Sequence, residues 1–238
     1  MITVHGLQAK DSHEELIDLN FQLDSGSVLA VIGRFDSGKN LLGRVMAGMV
    51  EPLSGILSYN HYNLISTPVR SRAMLGYLSN PATLELALTG YEYLDLIGSY
   101  YHLEPKTRQN LIEQFSLELN FNADIYTLLE YSHPSVRQKV AIAAATIHSP
   151  RLLILDDPLN QLDLIDQMVI KKFLNRFIDS KNNLILITDS YHLIEEFADK
   201  LLVLNKGSLN FIGTAKQLIN QVGSGKDLSK ALNIILEQ

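Results

Sequence analysis

The sequence predicts an α/β fold: a mostly parallel core sheet flanked by helices, an antiparallel β subdomain at the N-terminus, and an inserted helical subdomain. Three observations carry this reading. The run GRFDSGKN (33–40) lies between an apolar stretch, VLAVI, and the helix-like LLGRVMAGM. Later apolar runs alternate with helical spacing, the pattern of a parallel sheet covered on both faces. Between about 82 and 148 that alternation stops and helical spacing takes over.

Taken in order, ITVHGLQ (2–8) and LIDLNFQLD (16–24) alternate apolar and polar residues, as half-buried antiparallel strands do. Ser25 and Gly26 turn the chain into VLAVI (28–32), a buried strand, and a helix follows over 41–49. EPLSG (51–55) breaks structure, ILSYN (56–60) reads as a strand, and AMLGYLS (73–79) as another. In the helical stretch, Leu94, Ile97 and Tyr101 form one stripe and Leu111, Phe115 and Leu119 a second. Strands then recur at LLILDD (152–157), LILITD (184–189) and LLVLN (201–205). The helix after the first of these is marked by Ile165, Val169, Phe173 and Phe177 at four-residue spacing; a short helix follows the second. The expected division is one domain: 1–81 and 149–213 as the core with its β subdomain, 82–148 as the helical subdomain, and 214–238 as a helical tail.

A chain of 238 residues can bury a full core, and 46% hydrophobic against 19% charged residues is a globular composition. Its 20 Lys and Arg against 26 Asp and Glu leave a net charge of −6, without the electrostatic footprint of a nucleic-acid binder. The absence of cysteine excludes disulfides and thiolate metal sites. MITVHGLQAKDS lacks the basic start and apolar stretch of a signal peptide, and no window approaches the roughly 20 apolar residues of a membrane span. A soluble, cytoplasmic chain is expected.

Strand, loop and helix in that order give G-x-x-x-x-G-K its meaning. Successive backbone N–H groups turn inward beneath a helix N-terminus and form an anion cradle suited to a nucleotide's phosphates. Gly33 and Gly38 allow the backbone its close approach, and Lys39 reaches the terminal phosphates. The next residue is usually Ser or Thr, whose hydroxyl binds Mg²⁺; here it is Asn40. Arg34, Phe35, Asp36, Ser37 and Leu41 complete the stretch, and Asp36 repels phosphate unless it points outward or is offset by Arg34. In LLILDDP (152–158), Asp156 emerges at a strand's C-terminal end, where ligands bind in open α/β sheets. Alone it reads as an acidic cap; paired with the upstream loop it reads as a ligand for Mg²⁺.

At this point the chain resembles the nucleotide-binding subunit of ABC (ATP-binding cassette) transporters, nearly end to end. AGMVEPLSGIL (47–57), AMLGYLSN (73–80), HSPRLLILDDPLNQLD (148–163) and LILITDS with DKLLVLNKGSL carry the likeness in family order. The resemblance implies ATP and Mg²⁺ as cofactors, with residues 33–41 as Walker A and Asp156 as the Walker B carboxylate. It implies Asn40, Asn80 and Asp156 around the metal, and Asp163 closing a D-loop that crosses to the opposite subunit. It further implies transmembrane permease subunits docked on the helical lobe, and ATP sandwiched between two cassettes in a homo- or heterodimer. The chain would then sit peripherally on the inner face of the membrane.

The departures from the family pattern gather at the chemistry. Asn80 stands where the Q-loop has Gln, Asp157 where a catalytic Glu polarises water, and Asp189 where a switch His follows Thr188. The signature L-S-G-G-Q corresponds to YSHPS (131–135) or to SHPSV (132–136); both lose the glycine pair, and Pro134 removes a backbone N–H. No aromatic lies between residues 8 and 18 to stack on adenine, which leaves His13. A misplacement of about 1 Å can cost roughly 10²-fold in rate, so binding is expected to persist while hydrolysis weakens. The competing readings are an energising ATPase subunit and a hydrolysis-deficient half of an asymmetric dimer. A cassette protein without a membrane role is disfavoured by the single cassette and acidic balance.

Overall fold

The computed structural model describes residues 1–66, 73–225 and 227–237. Residues 67–72, within the expected core segment, and Lys226 and Gln238, within the expected tail, lie outside the described residues. Alternating apolar residues pair β1 (Ile2–Lys10) with β2 (Glu15–Leu23) as an antiparallel hairpin. The alternation changes phase between Val4 and Leu7, where the register shifts and Gly6 donates its N–H to Asn20 Oδ1 at 2.9 Å. β4 (Ser54–Tyr59) and the two-residue β5 (Tyr62–Asn63) extend this sheet in the order β2-β1-β4-β5.

The second sheet runs β10-β9-β3-β8-β7-β6. β3 (Val28–Gly33), β6 (Leu75–Leu78), β7 (Leu152–Asp156), β8 (Asn183–Ile187) and β9 (Lys200–Asn205) are parallel; β10 (Ser208–Gly213) closes one edge antiparallel. Every residue of β3, β7 and β8 is buried, as continuous apolar runs require when helices and a second sheet cover both faces. Leu152 and Ile154 pack with α1 (Lys39–Met46) and the antiparallel sheet, while Leu153 and Leu155 face the opposite cluster. That cluster holds α2 (Gly90–Tyr100), α3 (Pro105–Glu118), α4 (Pro134–Thr146) and α5 (Leu164–Asp179). A third cluster seats α6 (Tyr191–Phe197), α7 (Ala215–Val222) and α8 (Leu228–Glu237) on Ala30, Ile32, Leu201 and Val203.

The architecture is the expected one, with two local corrections. Ile165 does not join the buried stripe of α5: it is 69% exposed, and Ile170 and Leu174 join the expected Phe173 in the core. Four residues advance a helix by about 40° more than one turn, so a strict four-residue stripe rotates off the buried face. The helix expected over 41–49 ends at Met46, because Gly48 follows at φ +70° and Met49 turns into solvent. Among the described residues, no helix is long and apolar enough to cross a membrane. The parallel strands bring the ends of β3, β8, β7 and β6 to one edge, with Val31 and Asp156 both paired to Ile187.

Candidate nucleotide site

The loop after β3 is shaped by backbone and held from outside. Gly38 caps α1 at φ 88°, and a Cβ there would sit 2.7 Å from the Glu15 carbonyl oxygen. A Cβ on Gly33 would meet Ser37 Oγ at 2.2 Å and Leu204 O at 2.8 Å. The Lys206–Gly207 turn braces the far side: Gly207 N–H donates to Ser37 O at 3.0 Å, and Gly207 O accepts from Ile17 N–H at 2.8 Å. No side chain caps the start of α1 and no acidic residue occupies its first turn, leaving the helix end's positive character directed at the cleft. Ser37, Lys39 and Leu41 are buried, Asn40 is half-buried, and Arg34, Phe35 and Asp36 are exposed at the tip.

Side chains make the opposite wall. Asp156, the last residue of β7, is buried, and its carboxyl is pushed up to about 7, first by loss of hydration and then by the charge of Asp157, with Lys39 pulling the other way. Asp157 sits at φ +43°, and its N–H donates to Ile187 O at 2.9 Å. The Asn80 amide donates to the Asp157 carboxylate at 3.4 Å, while Asn80 Oδ1 accepts from Asn160 at 3.0 Å. Gln138 of α4 donates to Pro158 O at 3.2 Å, so the helical segment touches the chain just past Asp157. Lys39 Nζ forms an ion pair with Asp189, the residue after Thr188 at the end of β8.

Between loop and wall lies a cleft of about 500 Å³, bordered by His13, Glu14, Asp36, Asn40, Asn80 and Asp156. The Asn40 side-chain oxygen is buried there without a hydrogen-bond partner. The unpartnered Asn40 oxygen and the Asp156 carboxylate border the same cleft, and both are hard oxygen donors of the kind Mg²⁺ takes. Asn80 offers less, since its oxygen is bonded to Asn160. Among the described residues, no three His, Cys, Asp or Glu gather to hold a metal.

Glu14 and Arg44 escape sequence reasoning. Arg44 lies one turn after Asn40 on α1 and pairs with both Asp11 and Glu14, the latter at 3.2 Å, tying the β1–β2 connection to the loop helix. The position of Arg44 beside Asn40 is legible from the i, i+4 spacing; its acidic partners on another element are not. His13 borders the cleft, and its N–H donates to Asp11 at 2.8 Å. In the signature region, His133 caps α4, its Nδ1 accepting from Ser135 N–H at 3.2 Å, with Pro134 in the first turn where its missing N–H is harmless. Ser132 is buried and donates to Leu128 O at 3.0 Å, whereas Tyr131 is exposed. Asp163 caps α5 by accepting from Asp166 N–H at 2.8 Å. Asp166 in turn forms a buried ion pair with Lys139 of α4.

A family model for ABC transporters matches residues 16–160. The chain is 22% identical over 202 residues to the ABC transporter ATP-binding protein NatA of Bacillus subtilis, covering 84% of this chain and 82% of that one. It is 25% identical over 230 residues to the daunorubicin resistance ATP-binding protein DrrA3 of Streptomyces coeruleorubidus, covering 94% and 72%. Among solved structures, an ATP-binding subunit of an ABC transporter superposes over the whole of both chains with TM-score 0.91 at 24% identity. A dimeric ATP-binding cassette holding ADP and inorganic phosphate superposes with TM-score 0.82 at 16% identity, covering 90% of this chain and 98% of that one.

Proposed function

Because the chain belongs to the ABC transporter family, its model spanning residues 16–160, we propose that it binds MgATP and couples it to separate transmembrane subunits, with weakened hydrolysis. The observation that carries this reading is the loop itself, whose glycine geometry and free helix start form an anion cradle with Lys39 at its edge. Residues 33–41 bind the phosphates, Lys39 meeting the β- and γ-groups. Asn40 and Asp156 hold Mg²⁺, with Asn80 joining once released from Asn160. Bound Mg²⁺ supplies neutralisation of phosphate charge. Asp157 orients the attacking water and takes up its proton, and Asp189 occupies the switch position.

The domain roles follow: 1–81 and 149–213 as the nucleotide core, 82–148 as the helical subdomain that docks a permease, 214–238 as the tail. Supporting the docking role is a groove of about 630 Å³ between β6 and the helices α2 and α4. Leu75, Tyr77, Tyr93, Tyr100, Ala145 and His148 line it, a largely apolar surface suited to a segment of a membrane subunit. A second cassette would approach the Walker A face, offering the stretch 131–134, in which Tyr131, His133 and Pro134 are exposed; the pair would sit on the inner face of the membrane.

A specific observation favours the hydrolysis-deficient reading as the alternative. Asp157 is hydrogen-bonded to Asn80 and Asp189 is spent on Lys39, so both candidate catalytic carboxylates are engaged by neighbours. ATP turnover by the purified chain, alone and with its co-purifying membrane partners, separates the two. Turnover on the order of 1–10 s⁻¹ by the chain alone discards the deficient reading. Cross-linking of the intact complex is expected to place permease contacts in residues 82–148; contacts confined to the tail would contradict the docking role.

A further inference from the structure

Lys39 and Asp189 are 150 residues apart in sequence, yet their charges meet beside the phosphate-loop helix. The two partners are unequally placed. The Lys39 side chain is 9% exposed and fixed by its helix, whereas that of Asp189 is 65% exposed. The backbone beneath Asp189 is anchored, since Thr188 N–H donates to Val31 O at 3.2 Å and Ser190 N–H to Thr188 Oγ1 at 3.1 Å. A carboxylate on a pinned base therefore reaches an otherwise enclosed ammonium from the solvent side. Among the described residues this is the one ion pair Lys39 makes.

We propose that Asp189 is a specificity-determining residue of the nucleotide site, its carboxylate holding on Lys39 the place of a terminal phosphate, so that a triphosphate binds only by displacing it. The inference rests on the nucleotide reading above and adds the discrimination between nucleotides. Asp189 competes with phosphate in two ways. It spends Lys39's charge before a ligand arrives, and after displacement it stands as a like charge near the terminal group. Both penalties grow with the number of phosphates that reach Lys39. A monophosphate stops short of the lysine, a diphosphate meets it with one group, and a triphosphate brings the most negative charge nearest the displaced carboxylate. Substituting Asn keeps the shape and removes the charge.

Calorimetric titration of the full chain with Mg²⁺ complexes of ATP, ADP and AMP, for the unmodified protein, Asp189→Asn and Asp189→Ala, tests this. Because Asp189 is exposed, both variants are expected to melt with the parent. Asp189→Asn is expected to tighten ATP by about threefold to tenfold, ADP by less, and AMP not at all, a scale set by exposed ion pairs and by added phosphate repulsion. Unchanged or weakened ATP affinity in both variants would overturn the proposal, as would an equal gain for all three nucleotides. Failure of the underlying nucleotide reading looks different: neither the parent nor the variants would bind any nucleotide, which overturns both statements together.

Discussion

In the loop at 33–41 the backbone makes the site; across the cleft, side chains make it. A Cβ at Gly33 or Gly38 would collide with Ser37, Leu204, Glu15 or Leu16, so the loop's shape is dictated by its packing. Asn80, Asp157 and Asn160 instead hold one another by hydrogen bonds between chain ends of β6 and β7. Rearranging such contacts needs only rotamer changes, and each amide or carboxylate keeps its chemistry while its reach alters by a methylene. On the proposed reading, nucleotide binding rests on the part that cannot easily change and turnover on the part that can.

The largest effect is expected on the backbone side. Lys39→Ala should weaken ATP binding by well over tenfold in calorimetry, since removing one partner of a buried charged contact costs about 2–5 kcal/mol. Unchanged affinity would erase the distinction between the two regions. Gly38→Ala should both destabilise the fold, by at least about 1–2 kcal/mol from the left-handed backbone alone, and abolish nucleotide binding; thermal melting and titration read the two losses separately. Retained binding would show that the loop can re-form around a side chain.

Changes at Asp157 and Asn40 should move rate and spare affinity, whereas a change at Asp189 is expected to move affinity as well, through Lys39. Asp157→Glu with Asp189→His and Asn40→Ser is expected to raise kcat by about tenfold or more, while single reversions do little because groups acting as a unit are not additive. A combined reversion that leaves kcat unchanged would mean that the departures are compensated elsewhere. The smallest expected effect is on stability against pH. The Asp156 carboxyl is raised from 3.8 to about 7, so the nucleotide-free fold binds this proton more tightly than the unfolded chain does. The stability so gained is fully present below about pH 4 and is lost as pH rises through 7. Asp156→Asn should flatten that part of the curve in denaturant titrations; an unaltered slope would mean that Asp156 does not carry it.

The amino-acid sequence by itself determined the order of elements, the parallel core, the antiparallel start and the strand–loop–helix unit carrying Lys39, because each rests on local periodicity or on glycines whose role is backbone geometry. It also placed Asp156 at a strand's end, since an apolar run closing in a carboxylate is a local signal. Tertiary structure alone decided the rest. Whether Ile165 or Ile170 faces inward depends on how α5 is rotated against the sheet, a choice its own spacing leaves open. The pairing of Lys39 with Asp189, of Arg44 with Asp11 and Glu14, and of Asn80 with Asp157 depends on strands 3, 6, 7 and 8 ending side by side and on the first hairpin lying over α1. Charges find partners by distance in space, and the distance between distant segments is set only when the sheet order is.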